Sequence, residues 1–305
     1  MPLDQRSRTR LAESTAEGAA ALRAAGSRER DEAVRNPDFL ASRFIAPRPS
    51  LTMFAKLPGS RRLVRAVAER RIPGSYYFEI ARTRYMDDVV RAEVAAGVGQ
   101  LVLLGAGYDS RAYRMPELEG VRTFEVDHPI TSGLKRERLD AIFGEVPRHV
   151  VYVEVDFTRG DLGERLAAAG YDDNERALFV LSGVAPYLPE EAARETLGWV
   201  ARQAPGSSIV FDYLWSEIFD DPAPFHGVPE LLRRVAEIGE ELRSGIPRGR
   251  TREYLAELGL ELESDVGPED AERYLTGSDG RVIGRPYGFG GIAHARVPAR
   301  APSPS

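Results

Sequence analysis

Gln100-Leu-Val-Leu-Leu-Gly-Ala-Gly-Tyr-Asp-Ser-Arg-Ala-Tyr-Arg114, followed by Arg122-Thr-Phe-Glu-Val-Asp-His-Pro129, is the stretch that decides the fold. It reads as strand, glycine turn, helix, strand, acid. An apolar run that stops at Gly105-x-Gly107 suits a buried parallel strand whose C-terminal turn lets a ligand approach the backbone. Asp127 then ends the next strand, twenty positions beyond Gly107. In doubly wound sheets an acid at that place accepts hydrogen bonds from the ribose hydroxyls of an adenine-nucleoside cofactor. The other reading of Asp127 is a cap for the helix that enters at Pro129.

The rest of the turn distinguishes between adenosyl cofactors. A dinucleotide fingerprint has a third glycine or alanine after Gly107, where the helix packs on the strand and presents its N-terminus to pyrophosphate. That position is Ser110, preceded by Tyr108 and Asp109. A tyrosine and a carboxylate suit a sulfonium and an ammonium better than a doubly charged pyrophosphate. This favours S-adenosylmethionine over a nicotinamide or flavin dinucleotide.

Four further segments extend the pattern: Ile80-Ala-Arg-Thr-Arg-Tyr-Met-Asp-Asp88, Val184-Ala-Pro-Tyr-Leu-Pro189, Asn36-Pro-Asp38 and Tyr287-Gly-Phe-Gly-Gly-Ile-Ala-His-Ala-Arg296. Together with the glycine turn and Phe124-Glu-Val-Asp-His-Pro129, the chain resembles the leucine carboxyl methyltransferase family. More narrowly, it is similar to that family's bacterial branch of S-adenosylmethionine-dependent O-methyltransferases, from about Arg8 to Val297. The resemblance implies an α/β, Rossmann-like class I methyltransferase fold. Its sheet should have seven mostly parallel strands, the last one antiparallel.

The residue pattern fits that expectation. Further strands are expected at 122–126, 150–155, 177–181, 208–213, 260–264 and within 288–297, with helices at 134–143, 162–169, 190–204 and 251–258. Residues 83–96 carry Met86, Val89, Val90 and Val94 on one helical face, leading into the first strand. The alanine-rich 11–30 also has helical spacing, and 37–73 is broken by prolines. The expected organisation is a helical N-terminal extension over 1–80 and a methyltransferase domain over 81–298. An insertion at about 215–250 would form a lid over the C-terminal strand ends, and 299–305 a disordered tail.

The resemblance also implies site residues. Gly105, Ala106 and Gly107 would meet the cofactor through their backbone, with Asp127 and His128 beside the ribose. Asp156 and Phe157 would lie at the adenine, where Asp156 could instead cap the helix after Thr158. Arg82 would take the methionine carboxylate with Arg84 as a partner, although an arginine at a helix start is also ordinary solvated surface. Asp109 and Arg111 read equally as a pair that holds the turn. Many relatives have glutamate where Ser182 stands, and a serine cannot neutralise an ammonium.

No catalytic residue is assigned. A carboxylate acceptor arrives ionised, whereas a phenol or alcohol gains from a base, for which His226, Tyr213 and Tyr187 are candidates. The main reading is O-methylation of a carboxylate or hydroxyl on a small molecule, a secondary metabolite by analogy with the branch. The alternatives are an S-adenosylmethionine-binding protein without transfer activity and a dinucleotide-dependent oxidoreductase.

Composition bounds the rest. The 305 residues carry a net charge of −6, which argues against a general nucleic-acid binder. Lys56 and Lys135 are the only lysines against many arginines, a bias read as genomic. With no cysteine, disulfides and thiolate chemistry are excluded. The four histidines show no metal-ligand spacing, and no apolar run approaches a bilayer's thickness. The expected location is the cytoplasm, with no membrane partner.

Overall fold

The computed structural model describes residues 5–45, 59–145, 147–157, 161–237 and 239–299. Much of the proline-broken 37–73 segment, Thr158 and nearly all of the expected tail lie outside them. The N-terminal part comprises α1 (Gln5–Gly26), α2 (Ala41–Phe44), α3 (Arg61–Arg71) and the long α4 (Ser75–Ala95). The alternation follows: β1 (Gln100–Leu104), α5 (Arg111–Arg114), β2 (Arg122–Asp127), α6 (Pro129–Phe143), β3 (Val150–Glu154), α7 (Leu162–Ala168) and β4 (Ala177–Leu181). After α8 (Glu190–Val200) and β5 (Ser208–Leu214) come α9 (Glu217–Asp220) and α10 (Val228–Glu237). The chain closes with α11 (Thr251–Glu257), β6 (Glu261–Val266), α12 (Pro268–Ala271) and β7 (Gly290–Arg296).

The sheet has seven strands in the order β3-β2-β1-β4-β5-β7-β6. Strands β1 to β5 pair in parallel, and β7 inserts antiparallel between β5 and β6. The sheet is therefore mostly parallel with an antiparallel last strand, as the resemblance implied. Because the chain leaves β1 outward to β2 and β3 and then returns to β4, the topological switch falls between β1 and β4, where such sheets hold ligands.

Burial explains why the central strands are continuous apolar runs: every residue of β1 and β4 is buried, because helices cover both faces. Alternate positions face opposite ways. Leu101, Leu103, Leu178 and Val180 pack with α4, whereas Val102, Leu104, Phe179 and Leu181 pack with α7 and α8. Gly74, with φ of +84° after Pro73, precedes α4, which starts at Ser75, eight residues before the 83–96 expectation. The early turns bury Glu79 and Arg82 as well as Tyr76 and Ile80.

Among the described residues, no helix is long and apolar enough to cross a membrane, and no group of three His, Cys, Asp or Glu could hold a metal ion.

Candidate active site

The turn after β1 is built by glycine for two different reasons. Gly105 has φ of +67°, and a Cβ there would stand 2.4 Å from Val184 Cγ2. Gly107 has φ of +41°, and a Cβ would meet only the Gly105 carbonyl, at 3.8 Å, so the space beside it is open. Gly105 and Ala106 donate their N–H groups to the Val126 carbonyl, tying the turn to β2.

Asp127 completes that tie. Its Oδ2 accepts from the Gly107 N–H at 2.5 Å and its Oδ1 from the His128 N–H at 2.7 Å. Burial pushes its carboxyl above the ordinary range, and these two N–H groups act in the opposite direction. The cap of α6 is His128, whose Nδ1 accepts from the Ile130 N–H at 3.3 Å, with Pro129 in the first turn. Asp127 is thus a turn-holding group, and the capping task falls to its neighbour.

A cavity of about 660 Å³ opens from the turn. Gly105, Ala106, Gly107, Arg82, Ser182 and Tyr187 all line it. Its polar end is a network of paired charges. Arg82 donates from Nη1 to Asp212 Oδ2 at 2.7 Å and from Nη2 to Glu79. Arg23, on α1, reaches Asp38 at 2.7 Å, Glu79 at 3.2 Å and the Tyr108 carbonyl at 2.7 Å. Ser110, with no cap hydrogen bond to α5, donates to Asp38 at 2.6 Å.

Asp109 and Arg111 pair as a structural clamp on the turn: the carboxylate also accepts the Arg111 N–H at 2.8 Å. Burial alone would raise the Asp109 carboxyl, but Arg111 and Lys135 outweigh it and hold it near about 2. Arg84 points elsewhere, donating to the Glu32 and Arg35 carbonyls at 3.2 and 3.0 Å.

The remaining expected residues divide. Asp156 and Phe157 follow β3, half-buried and outside the cavity wall, and Phe157 packs with Val184 against Leu188 and Ala192. Asp127 and His128 also lie just behind the wall. His226 precedes Gly227, and its carbonyl accepts from Gly288 N–H at 3.5 Å, away from the cavity lining. The Tyr213 hydroxyl is held by Thr251 at 2.8 Å and Asp265 at 2.9 Å, also outside that lining. Of the three base candidates only Tyr187 reaches the cavity, and burial, with Glu240 nearby, pushes its phenol upward.

Sequence reading missed Glu79, Asp212 and Arg23, and gave Asp38 no role beyond its place in the Asn36-Pro-Asp38 segment. Asp212 had a usable signal, since it stands late in an apolar run, as Asp127 does. Arg23 had none: one arginine in an alanine-rich helix announces nothing.

Beside the charge network the cavity wall is mainly apolar, with Arg71 of α3 and Arg234 of α10 also in the lining and Arg82 Cζ 5.6 Å from the Phe78 ring centroid. Val64 and Val67 come from α3, Leu231 and Val235 from α10, and the rings of Phe78, Tyr287 and Phe289 form a stack with centroids 3.9 and 4.1 Å apart.

The family model described as leucine carboxyl methyltransferase matches residues 16–201. The chain belongs to the leucine carboxyl methyltransferase family. Among relatives of this family member are two proteins named "Putative S-adenosyl-L-methionine-dependent methyltransferase": YktD of Bacillus subtilis, 34% identical over 193 residues, and SCO7813 of Streptomyces coelicolor, 36% identical over 194. These matches cover 63% and 64% of this chain and 63% and 66% of the relatives' lengths. A solved duf574 family protein from Streptomyces avermitilis shares the fold with a TM-score of 0.58 at 16% identity, over 86% of this chain and 95% of that one. A "putative methyltransferase" from Thermobifida fusca gives 0.54 at 20% identity, over 79% and 90%.

The site of this leucine carboxyl methyltransferase family member suits the cofactor class. A pyrophosphate would need the N-terminus of a substantial helix after the turn, and α5 is only four residues long. The open face of Gly107 gives a nucleoside room against the backbone, and arginines and carboxylates together in the cavity wall suit a ligand that carries charges of both signs. These residues fit S-adenosylmethionine.

Proposed function

We propose that this chain transfers the methyl group of S-adenosylmethionine to an oxygen, in the first place a carboxylate oxygen, of a small apolar molecule. The observation that carries this reading is the continuity of the cavity, which joins the glycine turn to apolar side chains of α3 and α10 and to the Phe78–Tyr287–Phe289 stack. Such a cavity is large enough for a nucleoside cofactor beside a compact acceptor.

In this reading the backbone of Gly105, Ala106 and Gly107 receives the cofactor. Asp127 and His128 serve the ribose, Asp156 and Phe157 the adenine, and Arg82 and Ser182 the amino-acid end. The cofactor supplies an electrophilic methyl group on a sulfonium sulfur. The protein aligns the acceptor oxygen with that bond and keeps water out, and orientation of this kind can supply about 7–11 kcal/mol of a barrier.

The choice of a carboxylate rests on the base candidates. Tyr187 is the one that lines the cavity, and a phenol pushed upward by burial is a poor base near neutral pH. An acceptor that is already ionised needs none. The secondary-metabolite class follows by analogy with the bacterial branch, and a cytoplasmic location is part of the same proposal.

The test starts with calorimetric titration of S-adenosylhomocysteine and NAD(P), expected to give saturable binding of the first alone. Transfer of a labelled methyl group to a panel of apolar carboxylic acids, phenols and alcohols follows. A product label released by mild alkali marks an ester and supports the carboxylate. An alkali-stable label marks an ether and overturns that choice, and binding of a dinucleotide alone overturns the cofactor.

A further inference from the structure

The structure assigns to Asp212 a role in cofactor binding: together with Arg82 it forms a receptor for the amino-acid end of the cofactor, with Asp212 taking the ammonium and Arg82 the carboxylate. This rests on the cofactor reading above. The first argument is spatial. Along the C-terminal edge of the sheet, the order β3-β2-β1-β4-β5 sets Asp156, Asp127, the glycine turn, Ser182 and Asp212 side by side. A cofactor with its adenosine at β3 and β2 crosses the turn and brings its amino-acid end to β4 and β5.

The second argument is the register. Leu181 pairs with Phe211, so Ser182 and Asp212 are the next step of the same parallel ladder. The Asp212 side chain reaches back over the end of β4, where its Oδ1 accepts from the Gly183 N–H at 2.6 Å. Ser182 is neutral, whereas the adjacent strand supplies a full negative charge at the same level of the cavity.

The third argument is chemical. Arg82 and Asp212 present a cation and an anion 2.7 Å apart on the cavity wall, the complement of an α-amino acid zwitterion. Asp212 Oδ1 accepts from the Gly183 N–H and Oδ2 from Arg82, and a carboxylate oxygen can accept twice. Gly183 keeps the pair accessible: with φ of +70°, a Cβ there would stand 3.0 Å from Arg82 Nη1. Of the other acids in the polar end, Glu79 lies between Arg23 and Arg82, Asp38 holds Arg23 and Ser110, and Asp109 clamps Arg111.

Two ligands separate the role of Asp212 from general support of the site. S-adenosylhomocysteine carries the zwitterion, and 5′-methylthioadenosine keeps the adenosine and thioether without it. Calorimetry on Asp212→Asn should show affinity for the first falling by about 10- to 100-fold. The second should change by no more than about threefold. The exchange variant Ser182→Asp/Asp212→Ser, which returns the acid to β4, should recover part of the loss. An equal loss for both ligands would overturn the proposal, as would full affinity with lost turnover, which would place Asp212 on the acceptor. Selective loss on Glu240→Gln with Asp212→Asn unaffected would also overturn it. If Asp212→Asn does not fold, the unaltered protein decides: a deaminated S-adenosylhomocysteine that binds within about threefold of the parent excludes an anionic ammonium receptor. Failure of the unaltered protein to bind either nucleoside would instead defeat the cofactor reading itself, and this proposal with it.

Discussion

The Asp127 carboxylate accepts from Gly107 and His128 and still has acceptor capacity on each oxygen. Asp127→Asn keeps one oxygen for the turn and loses the charge, so calorimetry should show S-adenosylhomocysteine binding weakened by about 10-fold. Unchanged affinity would remove Asp127 from the site. Gly105→Ala tests the neighbouring turn. It forces a Cβ into positive φ and against Val184, a cost of about 1–3 kcal/mol in urea denaturation. Adding Val184→Ala should recover the steric part and leave the backbone part; no recovery would mean that the Val184 contact is immaterial. The turn and Asp127 were legible because glycine after an apolar run and acid after the next is a local pattern. Glu79 was not, because its partner Arg23 lies on α1, and pairing across elements leaves no periodic trace.

Strands were easier to read than helix ends. The central strands β1 and β4 are short apolar runs closed by a glycine turn, and buried parallel strands need little more. The start of α4 was hidden because its buried face carries Glu79, Arg82 and Asp87, which look like surface until their partners are known. The pair between β2 and α6 shows the same thing with a titratable consequence. Glu125 and Lys135, both buried, meet at 2.7 Å. Burial lifts the Glu125 carboxyl to about 7 against the pull of Lys135. The folded chain therefore holds this proton to higher pH than the unfolded chain does. Its contribution to stability is present below the ordinary carboxylate range and declines as pH rises toward about 7. Lys135→Met should then cost about 3–5 kcal/mol at pH 8, where it strands a buried carboxylate, and clearly less at pH 5.5, where Glu125 is protonated. Chemical denaturation at the two pH values reads this directly, and equal losses would refute the linkage.

The N-terminal helices and the sheet share one cavity and one charge network, which bears on how the molecule unfolds as a whole. Arg23 on α1 binds Asp38, Glu79 on α4 and the Tyr108 carbonyl in the turn after β1, while Arg82 continues the chain of pairs to Asp212 on β5. Paired, these buried charges are tolerated; a missing partner leaves carboxylates in a medium that solvates them poorly. We predict that α1 does not detach while the sheet stays folded, because opening it would leave Glu79 of α4 without Arg23 and remove the Arg23 anchor from the glycine turn. Two signals can follow this: helical circular dichroism, with its large contribution from α1 and α4, and fluorescence of Trp199 and Trp215, which pack on the opposite face of the sheet. In the unaltered protein both should report one coincident transition. Arg23→Met should lower that transition by about 3–5 kcal/mol and keep the two signals together. It should also weaken S-adenosylhomocysteine, since the turn loses its tie to α1. If instead the helical signal melts first and the tryptophans report an unchanged sheet, the extension is a separate unit and the network is only local.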